Sequence, residues 1–339
     1  MLAVAAALIA LFLHNVDLRR VAADIVRARP EWLAVSLATM FVNLVIRTLR
    51  WRYLLEPLGP TSFASAFRAT AVGFAASSVL PARAGEVIRP YFLARQTRRD
   101  PGSRVTATGA FATIILERLI DVITVLTLLA SYVIVFGRDV GRTNPTLFAA
   151  LKWAGGTAAV GSLTGLVVLF VLAGDPERVG RALRRFERAG PSALAGVIAR
   201  IAETFLRGLG VIRRPGRLLV ALAWSFPLWL TIATGIWACS QAFGFAIPFT
   251  GTFLLVALLV IGVAVPTPGA IGGFHEAFRV GATLVYKAPD EAAVGAAIVL
   301  HLFSIGPTLG LGLYFAAREG LNLVGMRRLA DQAEQGHTA

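Results

Sequence analysis

The chain has 339 residues, of which 56% are apolar and only 15% charged, and its mean hydropathy is +0.71. Soluble domains carry about 25% charged residues, so a soluble fold is excluded, and apolar runs recurring from residue 2 to residue 317 leave no room between them for a separate soluble domain. A net charge of +14 fits either nucleic acid or an anionic membrane face. The apolar content decides for the membrane, and no nucleic-acid partner is expected.

Residues 2–16 form a first apolar run, read as a membrane helix rather than a signal peptide, because no basic segment precedes it. Residues 17–29 carry four arginines and two aspartates, and the topology that the loop charges give places them outside, against the positive-inside rule. Further spans of about 20 mostly apolar residues fall at 31–55, 104–136, 147–173, 217–243 and 291–317. Two other apolar stretches are interrupted. Residues 62–80 run into Pro81 and then ARAGEVIRPYFL, and residues 249–265 run into Pro266 and then TPGAIGGFHEAF. A backbone break at membrane depth is tolerated only where protein or a water-filled cavity covers the freed polar groups. Paired breaks in two halves point to a transport site; two ordinary kinked helices are the alternative.

Between these elements, residues 174–217 hold ten arginines against four acidic residues and place that segment in the cytoplasm. Within it Leu194, Ile198, Ile201, Phe205, Leu209 and Ile212 recur at helical steps, the pattern of an amphipathic helix on the inner leaflet. The uncharged loop near Gly244 then lies outside, and both termini lie in the cytoplasm, as expected of an inner-membrane protein. Arg47, Arg50 and Arg52 fall at the cytoplasmic end of their helix. The predicted fold is therefore all-α and polytopic, with about six spanning helices and two Pro/Gly-broken re-entrant hairpins entering from opposite faces as inverted repeats. The membrane domain covers residues 1–318, in halves 1–136 and 147–318, followed by a polar cytoplasmic tail, 319–339.

Ionisable side chains inside a bilayer are costly, so each is a candidate for function. Three groups qualify. Arg83, Glu86 and Arg89 follow Gly85 on the first broken segment. Glu117, Arg118 and Asp121 lie inside a long apolar helix, with Glu117 and Asp121 four apart on one face. His275, Glu276 and Arg279 follow the second break, beyond Pro266, Pro268, Gly269 and Gly272. Structural ion pairs joining helices are the competing reading. Cys239 is the one cysteine, and His14, His275, His301 and His337 show no ligand spacing, so no metal or other cofactor is expected.

The strings LPARAGEVIRPYFLAR (Leu80 to Arg95), LERLID (Leu116 to Asp121), PTPGAIGGFHEA (Pro266 to Ala277) and RTLRWRYLL (Arg47 to Leu55) resemble, in order and spacing, the lysylphosphatidylglycerol synthase transmembrane (flippase-like) family. The departures are a short N-terminus and His275 beside Glu276. The resemblance implies an integral membrane protein with two internal hairpins that moves an anionic phospholipid or lipid-linked group between leaflets. It does not imply the synthase reaction, because the soluble aminoacyl-transfer domain of fused members has no counterpart in residues 319–339. No GxxxxGK[ST] occurs, so ATP-driven pumping is not expected. The alternatives are an intramembrane enzyme or an accessory subunit in glycolipid, polyisoprenyl-phosphate or envelope-lipid metabolism. Self-association and an envelope enzyme stay open as partners besides lipid. From the cost of burying unpaired charge, and independently of the resemblance, Arg83, Arg89 and Arg118 are expected to form a cationic site for a lipid phosphate, with Glu86, Glu117 and Asp121 holding them in place.

Overall fold

Proline and small capping residues set the helix starts. Asp17 caps α2 (Leu18–Arg27) by accepting from the backbone N–H groups of Arg19 and Arg20, Pro30 opens α3 (Pro30–Leu55), and Ser62 caps α4 (Phe63–Val79). The computed structural model describes residues 2–80, 84–97, 105–143, 145–174, 205–206, 214–265 and 267–320. Its other helices are α1 (Leu2–Phe12), α5 (Gly85–Thr97), α6 (Ala107–Thr143), α7 (Pro145–Gly174), α8 (Pro215–Ala242), α9 (Thr252–Ala264), α10 (Gly273–Val280) and α11 (Asp290–Arg318). No strand occurs among the described residues. The protein is an all-α polytopic membrane protein: α3, α8 and α11 are long and apolar enough to cross a bilayer, and α6 and α7 run for 37 and 30 residues.

The N-terminal region differs from expectation. α1 has 11 residues, about 16 Å of helix at 1.5 Å per residue, half of a bilayer core. Its run ends in a turn where Asn15 takes φ 58°. The basic stretch that follows, to which the sequence assigned no element, is the amphipathic helix α2, whose Val21 is buried and whose Ile25 packs near Gly295 of α11. Three arginines, Arg19, Arg20 and Arg27, disguise a helix with a narrow apolar face. The amphipathic stretch read within 174–217 lies almost wholly outside the described residues. Phe205 and Leu206 are described, and they pack with Leu54, Leu116 and Ala221.

Small residues allow the helices to approach closely. Ser36 of α3 donates to the Gly235 carbonyl of α8 at 2.9 Å, and Asn43 donates to Leu228 O at 2.8 Å. A Cβ on Gly312 of α11 would lie 2.2 Å from the Ala71 carbonyl of α4. The two broken segments are each helical hairpins closed by a glycine pair. In the first, α4 meets α5 where Gly73 faces Gly85; in the second, α9 meets α10 where Gly262 faces Gly273. The correspondence extends further: a Cβ on Gly73 would touch Arg89, four residues after Gly85, and one on Gly262 would touch Ala277, four after Gly273. The second break is a tight left-handed turn, with φ 59° at Gly269, 57° at Ala270 and 90° at Gly272. The hairpin tips meet where Gly269 lies against the Ser78 carbonyl.

Candidate functional site

A buried ion-pair cluster is built by α3, α5, α6 and α8. Glu117 and Asp121, one turn apart on α6, both point at Arg50 of α3, which is fully buried. Arg50 donates to Asp121 at 2.5 and 3.3 Å, to Glu117 at 3.2 Å and to the Ser225 hydroxyl at 2.6 Å. Arg89 of α5 donates to the other Glu117 oxygen at 2.9 Å, and its guanidinium lies 3.7 Å above the Trp51 ring. Trp51 in turn donates to Thr113 at 3.0 Å, and Trp229 of α8 donates to Asp121 at 3.0 Å. Such a network replaces the hydration that buried charges lose.

Two further arginines edge the cluster. Arg47, one turn before Arg50, comes only to 4.0 Å from Asp121 and lies 5.4 Å from the Phe74 ring. Arg118 turns away from Asp121 and pairs with Glu86 at 2.6 Å, where both side chains are partly exposed. The residues of the first two sequence groups are therefore brought together, with Arg118 on a different carboxylate from its sequence neighbour. Arg83 and Pro266 lie outside the described residues. Gly85 serves the α4–α5 contact and borders the small space among the ion pairs.

Arg47 and Arg50 were read from sequence as part of the basic end of a helix; they lie in the last third of α3, and the structure adds their partners. Arg50 is a hub of the cluster and Arg47 faces a cavity. The signal available was their spacing of three residues with Trp51 adjacent, which puts a large apolar ring beside a charge rather than in a loop. Ser225 and Trp229 carried no local signal.

Around the cluster the space is unevenly shared. Among the ion pairs only ≈ 20 Å³ is free, room for about one water. Beside it lies an apolar chamber of ≈ 400 Å³, lined by Leu44, Val125, Ile232, Val256, Leu259 and Pro307 and reached at its polar end by Arg47, Arg118 and Asp121. A second chamber of ≈ 300 Å³ lies between the hairpin tips, with Ser77, Ser78, Glu86, Thr267, Gly269 and His301 on its wall. Phe74, Arg118, Val263, Phe274, Ser304 and Thr308 border both.

The third sequence group does not join the arginine cluster. His275 packs against His301, Phe12 and Phe274. Pro268 and Gly269 form the turn beneath it, and Gly272 donates its N–H to His275. Glu276 is 4.0 Å from Arg279. Arg279 grips Asp290 at 2.7 and 2.6 Å and donates to the last carbonyls of α1, Leu11 and Phe12, at 3.2 and 2.8 Å. That is a cation satisfying a helix C-terminus. Arg279→Met is expected to release α1 and speed tryptic cleavage after Arg19 and Arg20; unchanged digestion would show that α1 is held by its apolar contacts alone. Among the described residues no group of three or more metal-ligating side chains occurs.

Compared with known proteins, the chain matches the family described as the lysylphosphatidylglycerol synthase TM region over residues 1–312. No curated protein matches it.

Proposed function

Because the chain belongs to the lysylphosphatidylglycerol synthase transmembrane-region family, we propose that it is a lipid translocase that moves an anionic phospholipid or lipid-linked group between leaflets, without chemical change to it. The observation that carries this reading is the shape and polarity of the cavity. An apolar chamber of ≈ 400 Å³ ends on Arg47 and Arg118 and borders a second chamber between two hairpin tips, whose wall carries Ser77, Ser78, Glu86, Thr267 and His301. An amphipathic ligand has the same two parts. Arg50 and Arg89 are sealed and paired, and the space beside them holds about one water, so a phosphate is met by Arg47 and Arg118 instead. Within the described cluster four arginines (Arg47, Arg50, Arg89, Arg118) face three carboxylates (Glu86, Glu117, Asp121), and Asp121 is already committed to Arg50 and Trp229. An excess cation in apolar surroundings favours an anionic guest.

On this reading the arginine-rich segment 174–217 is cytoplasmic. It adjoins the end where Arg217 of α8 pairs with Glu56 at 2.6 Å. The hairpins are then re-entrant and enter from opposite faces, meeting at Ser78 and Gly269. Separating one tip at a time would open the chamber to one leaflet and then the other.

Leaflet exchange of a fluorescent anionic phospholipid in proteoliposomes tests the assignment. Arg47→Gln and Arg118→Gln each remove a charge-assisted contact of about 1.5–3 kcal/mol. Each is expected to slow exchange by roughly tenfold or more, with the detergent melting temperature little changed. Parent-rate exchange by both variants, corrected for folded protein, would place the headgroup elsewhere.

A further inference from the structure

Two histidines that the proposed phosphate contacts do not use meet beside the second hairpin. His275 on α10 and His301 on α11 stack with ring centroids 4.3 Å apart and planes inclined by 43°. Phe12 lies 5.1 Å from His275, and Phe274 lies 5.2 Å from His301, so the pair sits in an aromatic box. Each ring also holds the backbone of the break. The Gly272 N–H donates to His275 Nδ1 at 3.3 Å, and His301 Nε2 lies 2.8 Å from the Gly269 carbonyl oxygen.

These partners assign the protons. His275 Nδ1 accepts and so carries none, which puts the proton of the neutral ring on Nε2. His301 Nε2 faces a carbonyl and must donate, which leaves Nδ1 as a bare lone pair. In this arrangement both rings are neutral and the pair has one uncommitted base, His301 Nδ1. A proton added to His275 Nδ1 would break the Gly272 contact. A proton added to His301 Nδ1 breaks nothing, and makes the donor to Gly269 a charged and therefore stronger one.

His301 also borders the chamber between the hairpin tips, which Glu86 of α5 and Arg118 of α6 line as well. Of the other elements packed here, α1 brings no charged side chain and α4 brings none to the chamber. α10 brings Glu276 and Arg279, the latter tied to Asp290 of α11 and to the end of α1.

We propose that the His275–His301 pair is a proton-binding site, with His301 Nδ1 as the acceptor, that adds one positive charge to the wall of the headgroup chamber and fastens the Gly269 turn to α11. Its consequence for lipid rests on the translocase reading above; the proton site itself does not. Anionic lipid is then held more tightly on the acidic side of histidine titration and released on the alkaline side. One hairpin tip is thereby sensitive to the pH of whichever compartment reaches the chamber.

Two measurements on the full chain in nanodiscs test this. The first is the NMR titration of the histidine Cε1–H signals from about pH 8, where an ordinary histidine is neutral, down to the lowest pH at which the protein stays folded. The parent protein is expected to show one proton uptake shared by the pair. In His301→Gln, whose amide can still donate to the Gly269 carbonyl, that uptake is lost. The second is the affinity for phosphatidylglycerol across the same range. It is expected to rise severalfold on acidification in the parent and to stay flat in His301→Gln. No titration of either histidine, or an uptake that survives in His301→Gln, overturns the site. A normal titration with no lipid binding at any pH counts against the translocase reading and leaves the proton site standing. A normal titration with pH-independent lipid binding refutes the link between them.

Discussion

Replacing Arg50 by leucine is expected to cost about 3–5 kcal/mol of stability, the penalty for removing one partner of a buried ion pair. Arg50 is fully buried and pairs with two carboxylates at once, donating to both oxygens of Asp121 and to Glu117. Without it, Arg89 still holds Glu117 and Trp229 still donates to Asp121. Asp121 then keeps only a distant cation, Arg47 at 4.0 Å. Domain stabilities of about 5–15 kcal/mol leave little margin, so most of the protein should be lost on extraction into detergent. The double variant Arg50→Leu/Asp121→Asn removes the orphaned carboxylate together with its partner, and is expected to recover part of the loss. Lysine is not an adequate substitute, because one ammonium cannot reproduce a planar fork that reaches Asp121, Glu117 and Ser225 together. A melting temperature for Arg50→Leu equal to that of the parent would refute the hub.

Gly85→Ala is expected to destabilise by about 1–3 kcal/mol or more, although alanine is the better helix former by about 1 kcal/mol. The sign reverses because of where the methyl group would sit. It would lie 1.8 Å from the Gly73 carbonyl oxygen and 2.3 Å from the Ser77 hydroxyl. The first of these is backbone that cannot swing aside, so α4 and α5 must part. Gly273→Ala meets the same obstacle in the second hairpin, 2.2 Å from the Gly262 carbonyl. Gly156→Ala on α7 is the control, since a Cβ there meets nothing within 4 Å, and it is expected to be neutral or slightly stabilising. Detergent melting of the three variants checks the contrast. If Gly85→Ala and Gly273→Ala melt with the control, the hairpins are looser than these contacts require.

Much of the architecture is legible in the amino-acid order because it is local. An apolar run of the right length forms a helix in lipid whatever its neighbours do, since every backbone group must be paired within the segment. The bounds of α3, α8 and α11 accordingly fall within a few residues of the runs 31–55, 217–243 and 291–317. Proline and glycine interrupt a helix by their own covalent geometry, so the two hairpins could be placed from LPARAGEV and PTPGAIGG. Helical spacing alone put Glu117 and Asp121 on one face.

Partnership is what tertiary structure decided. Arg118 is three residues from Asp121 in sequence, yet it faces Glu86 on another helix, while Asp121 takes Arg50 from 71 residues away and Trp229 from 108 residues away. A charge near a helix end reads in one dimension as a side chain reaching water. Whether it reaches water or a carboxylate depends on how α3, α6 and α8 cross, which small residues such as Ser36 and Gly235 set through contacts 199 residues apart. α1 and α2 show the same limit. A run too short to span is recognised only when its end is seen capped by Arg279, and the arginine-rich helix after it only when its apolar face is seen against α11. His301 had no sequence signal, standing alone in an apolar helix. Its meaning comes from the second histidine and the glycine turn that the fold sets beside it. Helix formation is settled residue by residue along the chain, whereas the energy of a buried charge is settled by whatever the packing brings within hydrogen-bonding distance.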